Sequence, residues 1–298
     1  MMNGIFYNSP RSQCSIYESG LMIYEALKQS SQYFLAYTEN RALKFNSDFA
    51  IFNYHPYVNN WMSHGILNQY QGRTFAVVLE VGHHGDLLPN TAKVFQKYMV
   101  IDPTIKDTDT IFGFPRPIER YTPAPFKAPV VTVGSFGFAT PGKRWIEVLE
   151  LTNAEFDKAL IRINIPFATY VPDCQREILK VVAELTSFHL KPGIELEITH
   201  NYMDKHQLIE WCAQNTINFF PYYRDLAGLA AVTDQAISAR RPILVTNNPA
   251  FRHMFEYIKP LSSETNLVET INKSLSGVIR MYEDWSPEAF YQKFESIL

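Results

Sequence analysis

Two short stretches of this chain carry residue types suited to holding a phosphate. The first is Gly134-Ser135-Phe136-Gly137, which ends an apolar run and leads through Lys143-Arg144 into a helical pattern. Small residues let backbone N–H groups approach a bound anion, a helix start points its unpaired donors and dipole at it, and Lys143 adds a full positive charge. The second is the run 216–253. Its apolar strand pattern, Ile217–Phe220, gives way to the polar loop Tyr222-Tyr223-Arg224-Asp225, and Gly228-Leu229 then opens a helix with Val232, Ala236 and Ala239 at spacings of three and four. Pro242 leads a further strand, Ile243–Val245. A loop running from the carboxyl end of a parallel strand into a helix is where open α/β sheets bind phosphates. A single glycine-rich loop is better read as a surface turn with a solvated lysine; two such loops in one half of the chain favour binding.

Such loops need a parallel sheet behind them, and the rest of the chain supplies its pattern. The stretch 115–129 holds five prolines and reads as a linker, since proline can continue neither a helix nor a central strand. After it, strands at 130–134, 160–165 and Ile194–Thr199 alternate with helices at 145–156, 176–188 and 204–214. Before it, strands are expected at 4–7, 33–37, 49–53, 75–79 and 98–101, with a helix at 15–28. Alternation of this kind implies parallel sheets with right-handed crossovers. A long helix at 266–282 follows, and Ser286-Pro287-Glu288 starts a last helix with Phe290, Phe294 and Ile297 on one side. The expected fold class is therefore α/β, in two Rossmann-like halves.

Composition narrows the function classes. A chain of 298 residues is long enough for two cores. A net charge of −3 argues against a broad nucleic-acid surface. Cys14, Cys174 and Cys212 are odd in number and widely spaced, so they indicate neither a disulfide framework nor a zinc site and read as reduced cytoplasmic thiols. No apolar run approaches the roughly 20 residues that span a bilayer, and the start of the chain lacks the order of a signal peptide.

The run 216–253 resembles the donor-site signature of GT-B glycosyltransferases, in particular the retaining enzymes that use nucleotide sugars. Asp225 stands at the place of the loop acid, Gly228-Leu229 match the family's glycine–leucine pair, and Pro242 matches its proline-led strand. The place of the second acid holds Gln235, with Asp234 beside it. The resemblance implies two Rossmann-like domains with parallel sheets flanked by helices: an acceptor-side domain over 1–120, a donor domain over 121–285, and a terminal helix over 286–298 crossing back to the first. It implies transfer of a sugar from a nucleoside diphosphate donor, UDP among the candidates, to an acceptor hydroxyl of a glycan, a lipid-linked molecule or a protein. Ser135, Phe136 and Gly137 would border the diphosphate, Lys143 would balance charge on the departing nucleotide, and Arg144 is held in reserve for the same task. His200 and Asn201, after the third strand of this half, would border base or ribose. Arg252, beside His253, could approach sugar or phosphate.

In the first half, Ser9, Gln13 and Ser15 lie in the loop from the first strand to the first helix and can offer hydroxyl, amide and backbone donors. His55, His83 and His84 follow expected strands. A cleft histidine can deprotonate an acceptor hydroxyl, and His83 is the candidate base, with turn histidines making structural hydrogen bonds as the competing reading. Asp107-Thr108-Asp109 has a metal-binding form, but it sits in a polar turn, so neither metal nor cofactor is expected. A nucleotide-sugar epimerase and a non-catalytic nucleotide- or glycan-binding relative are the alternatives.

Overall fold

The computed structural model describes residues 1–10, 15–40, 46–56, 64–82, 87, 91, 93–167, 173–224 and 228–298. The chain divides into two compact units. One comprises Met1–Pro117, Ala227–Leu229 and Trp285–Leu298, the other Ile118–Leu226 and Ala230–Asp284.

The first unit is built on β1 (Met2–Tyr7), α1 (Ser15–Leu27), β2 (Tyr33–Thr38), β3 (Phe49–Tyr54), the single turn α2 (His64–Leu67), β4 (Arg73–Val78), β5 (Lys97–Val100) and β6 (Ile111–Gly113). All six strands run parallel in the order β2-β1-β3-β4-β5-β6. Strands β3 and β4 are apolar almost throughout and buried on both faces, as the interior of a parallel sheet requires. The three-residue β6 is too short to leave a periodic signature, and the sequence reading misses it. The Asp107 turn before it is a loop on the exposed edge: Asp107 accepts a hydrogen bond from the Gly113 N–H at 2.9 Å and pairs with Lys293 at 3.1 Å.

The second unit contains β7 (Val131–Phe136), α3 (Ile146–Glu155), β8 (Ala159–Asn164), α4 (Cys174–Ser187), β9 (Ile194–Thr199), α5 (Lys205–Ala213), β10 (Ile217–Phe220), α6 (Val232–Ser238), β11 (Ile243–Val245), a 3₁₀ turn Pro249–Met254, α7 (Leu267–Lys273) and α8 (Leu275–Asp284). Its parallel strands are ordered β11-β10-β7-β8-β9. Asp204 caps α5 through a full capping box with Gln207. The proline-rich segment is strapped to this unit rather than loose. The Tyr121 hydroxyl donates to Glu210 at 2.7 Å, while Arg240 and Arg241 donate to the Tyr121 and Phe126 carbonyls at 3.2 and 3.0 Å.

Two helix expectations need correcting. The single helix at 266–282 is two, α7 and α8, because the apolar spacing runs on across Ser274 while the weakly helix-forming serine lets one turn end and another begin. The helix expected from Gly228 starts at Val232. Gly228 has a φ of +92°, outside the helical region, and the Ala230 N–H bonds to the Ala250 carbonyl instead of beginning a turn.

The last helix, α9 (Pro287–Ile297), is capped by the Ser286 side chain and belongs to the first unit. Its Phe294 ring stands 5.7, 5.8 and 5.1 Å from those of Tyr33, Phe49 and Phe75, and Phe290 lies 5.1 Å from Phe114.

Candidate functional site

In the second sheet the chain leaves β7 in one direction, to β8 and β9, and later returns to β7's other side with β10 and β11. The order reverses between β7 and β10. At such a switch point the two following loops diverge to opposite faces and open a crevice at the carboxyl edge of the sheet. Those two loops are the ones singled out by their residue types: 137–145 after β7, and 221–224 after β10.

The two loops are fastened to each other. The Tyr223 N–H donates to the Gly142 carbonyl at 2.8 Å, and the Tyr222 hydroxyl donates to the Phe136 carbonyl at 3.0 Å. Gly142 has a φ of +84°, and a Cβ there would meet the Tyr223 carbonyl at 2.4 Å, so both backbone and space require glycine. Gly137, at φ +150°, brings the chain beneath Lys143 Nζ. Arg144 also has positive φ, +44°, uncommon for a residue with a side chain and shared here by Asp173 and Arg240. Its guanidinium lies 4.4 Å from the Tyr223 ring and 2.6 Å from the Glu147 carboxylate. Gly134 serves packing rather than phosphate approach: the space its missing Cβ leaves is filled by the Asn215 amide. Ser135 is fully buried, and its hydroxyl has no hydrogen-bond partner among the described residues. The Phe136 ring packs in the core against Trp211 and Phe220, so only its backbone faces the loops.

Lys143 is the electrostatic centre of the arrangement. Its Nζ lies 3.5 Å from the centroid of the Tyr222 ring, with no carboxylate partner among the described residues. Burial pulls its ammonium down to about 7, and the Arg224 charge pushes in the same direction. Lys143, with the Arg224 charge acting on it, thus lies beside a glycine-rich loop that leads to the start of α3. The folded protein holds fewer protons on Lys143 than the unfolded chain between pH 7 and the ordinary lysine range, so the burden on stability is full below pH 7 and lifts as pH rises through that window. Its size is on the order of 5 kcal/mol at most, less what solvent reaching the side chain removes. Lys143→Met is therefore expected to raise the thermal unfolding midpoint of the free protein at pH 6 and to raise it much less at pH 9. An equal shift at both would show that the ammonium is not under this strain.

The other end of the crevice is organised by Asn164. Its carbonyl accepts from Gly137 N–H at 3.1 Å, its side-chain oxygen accepts from the Thr199 hydroxyl at 2.8 Å and Asn201 N–H at 3.1 Å, and its amide donates to the Asn201 carbonyl at 3.1 Å. Through its backbone carbonyl and its side chain together, this one residue ties the ends of β7, β8 and β9. The His200 Nδ1 sits 3.0 Å from the Ile165 carbonyl, which makes Nδ1 the donor, and its ring lies 5.6 Å from the half-exposed Phe167.

Around α6, Leu229 is buried, Asp234 is buried in the first turn, and Gln235 is half-buried. Arg252 lies in the 3₁₀ turn, where it donates to the Pro249 carbonyl at 2.9 Å, and His253 faces the Thr233 hydroxyl at 3.3 Å. In the first unit the switch point lies between β1 and β3. Ser9 is buried there, with its N–H on the Asn8 side chain at 2.9 Å, Ser15 is exposed at the start of α1, and His55 lies 3.5 Å from Glu80. Gln13, His83, His84 and Asp225 lie outside the described residues.

The structure thus gathers Ser135, Gly137, Lys143, Arg144, Tyr223 and Arg224 at one switch point, with His200 and Asn201 further along the same sheet edge. Sequence reasoning missed Tyr222 and Asn164. Alternation carried from Ile217–Phe220 through Pro221 puts Tyr222 on the side of Phe220, 6.1 Å ring to ring, a signal that was available. Asn164 had none.

No known family's sequence profile matches the chain, and no curated protein matches it in sequence. Solved structures do. The Anabaena protein HepE, in complex with UDP and glucose, matches with a TM-score of 0.66 at 8% identity over 99% of both chains. An alpha-glucosyltransferase, in complex with UDP and a 13-mer DNA containing a HMU base, matches at 0.60 and 11% identity over 99% of this chain and 98% of that one. S. aureus TarM, in complex with fondaparinux, alpha-GlcNAc-glycerol and UDP, matches at 0.57 and 12% identity over 94% of this chain and 59% of that one. The fold is the expected one, two Rossmann-like α/β units of the GT-B type.

Proposed function

We propose that this protein is a glycosyltransferase that moves a sugar from a nucleoside diphosphate sugar to an acceptor hydroxyl, and that its second unit binds the donor. The observation that carries this reading is the buried Lys143 ammonium, held on the Tyr222 ring beside Gly137 at the β7/β10 switch point with the Arg224 charge acting on it. A site built of positive charge, small residues and a helix start suits an anion such as a diphosphate. That HepE and the alpha-glucosyltransferase were solved with UDP makes a UDP-sugar the first donor to try.

In the reaction, the bond between the anomeric carbon and the diphosphate oxygen breaks and its electron pair stays with the diphosphate. The acceptor oxygen bonds to that carbon, and its proton passes to a base, for which His83 is the candidate. Lys143 offsets the charge arriving on the leaving diphosphate, and Asp225 stabilises the positive sugar centre. Metal-free chemistry fits the Lys143 charge already present at the site. The free thiols of Cys174 and Cys212 suit the cytoplasm. A second reading, donor binding without turnover, is favoured by one observation, Gln235 at the place of the second acid.

A panel of nucleoside diphosphates and their sugars tests the proposal. Uridine or guanosine diphosphate at about 100 times its dissociation constant should stabilise the protein by roughly 2.7 kcal/mol. Nucleotide release from the sugar donor should continue in excess EDTA. No stabilisation by any of them would sink the donor site, release that requires manganese would overturn the metal-free step, and stabilisation without release would favour the binding-only reading.

A further inference from the structure

We propose that Tyr222 is the positioning residue of the diphosphate site: its ring face carries the Lys143 ammonium, and its hydroxyl locks that ring to the end of β7. This rests on the donor-site reading above and adds to it the means by which the cation is held.

The chemistry behind the arrangement is a choice of partner. A lysine that must meet a diphosphate needs to be fixed in place, and the usual fixing group is a carboxylate. A carboxylate would neutralise the ammonium and repel the incoming phosphates. The face of an aromatic ring attracts a cation through its quadrupole and leaves the positive charge undiminished for a ligand. Lys143 Nζ lies 3.5 Å from the Tyr222 centroid, close enough for this to be the main contact of the ammonium.

The ring is itself held from several sides. Its hydroxyl donates to the Phe136 carbonyl at 3.0 Å, its own carbonyl accepts from the Thr246 hydroxyl at 2.5 Å, and the Phe251 ring packs 5.4 Å away. Gly137 completes the fit, since a Cβ there would stand 2.9 Å from the Tyr222 hydroxyl and 3.3 Å from Lys143 Nζ. Tyr222, Gly137 and Lys143 are therefore one mutually fitted unit joining β7, the following loop and β10. A tyrosine serving only to fill the core would also bond its buried hydroxyl, but it would not need the cation on its ring face.

The test is UDP affinity between pH 6 and 9 for the wild type, Tyr222→Leu and Tyr222→Phe, each alone and combined with Lys143→Met, with thermal melts as the control for folding. Tyr222→Leu should weaken UDP about tenfold and move the pH at which affinity begins to fall. Tyr222→Phe, which keeps the ring, should return that pH to its wild-type position. With Lys143→Met already present, Tyr222→Leu should cost nothing more. Leucine and phenylalanine variants that behave alike, or a leucine penalty that survives Lys143→Met, would overturn the proposal and leave Tyr222 as packing. Should Tyr222→Leu not fold, Tyr222→Met takes its place. If the wild type itself binds no UDP, the donor reading falls. The proposal is then decided in the free protein by ¹³C NMR titration of reductively methylated Lys143, whose titration must move in the leucine variant and stay in the phenylalanine variant.

Discussion

Lys143→Ala should lower turnover about 10²–10³-fold while weakening donor binding far less, the size of loss that follows removal of one preorganised electrostatic contact. Departure of the diphosphate concentrates negative charge on its bridging oxygen, so a cation fixed beside it gains more in the transition state than in the ground state. Arg144 neighbours Lys143 in sequence, yet it is committed elsewhere, against the Tyr223 ring and in an ion pair with Glu147. Arg144→Ala should therefore cost much less. Steady-state kinetics with kcat and KM separated checks both. A silent Lys143→Ala beside a crippling Arg144→Ala or Arg252→Ala would mean that the phosphate site is built from other residues.

The second large effect belongs to Asp225. On the proposed donor-site reading, Asp225 is the remaining carboxylate of a pair whose other place holds Gln235, and Asp225→Asn should then depress turnover by about 10²-fold or more. Gln235→Ala, which removes a neutral half-buried amide from α6, should have a mild effect. Circular dichroism of both variants should match the wild type. Equal, mild losses would favour the protein that binds donor without turning it over.

The sequence made the sheets legible because their strands are long apolar runs separated by helices with clear caps, such as Asp204 and Ser286. What it hid falls into three physical kinds. β6 is three residues long, below the length at which any period shows. The break at Ser274 and the late start of α6 are matters of local backbone, invisible to a spacing that continues across them. The site shows the third kind. Lys143 and the glycines around it could be read from residue type, whereas the value of Tyr222 depends on β10 lying beside β7, a neighbour relation set by topology. Gly134 illustrates the converse: its residue type suggested phosphate approach, and the fold uses the space for Asn215.

Receipt of a diphosphate by Lys143 is tested most directly by the protons taken up when UDP binds. At pH 8 an ammonium held down to about 7 is mostly neutral in the free protein, and a diphosphate beside it restores the charge. Calorimetry of UDP binding in buffers of differing ionisation enthalpy at that pH should report uptake of about 0.8 proton by the wild type and close to none by Lys143→Met, by the linkage of pKa to ligand binding. Binding of UDP by the wild type with no proton uptake, or with uptake that Lys143→Met retains, would place the diphosphate somewhere other than Lys143.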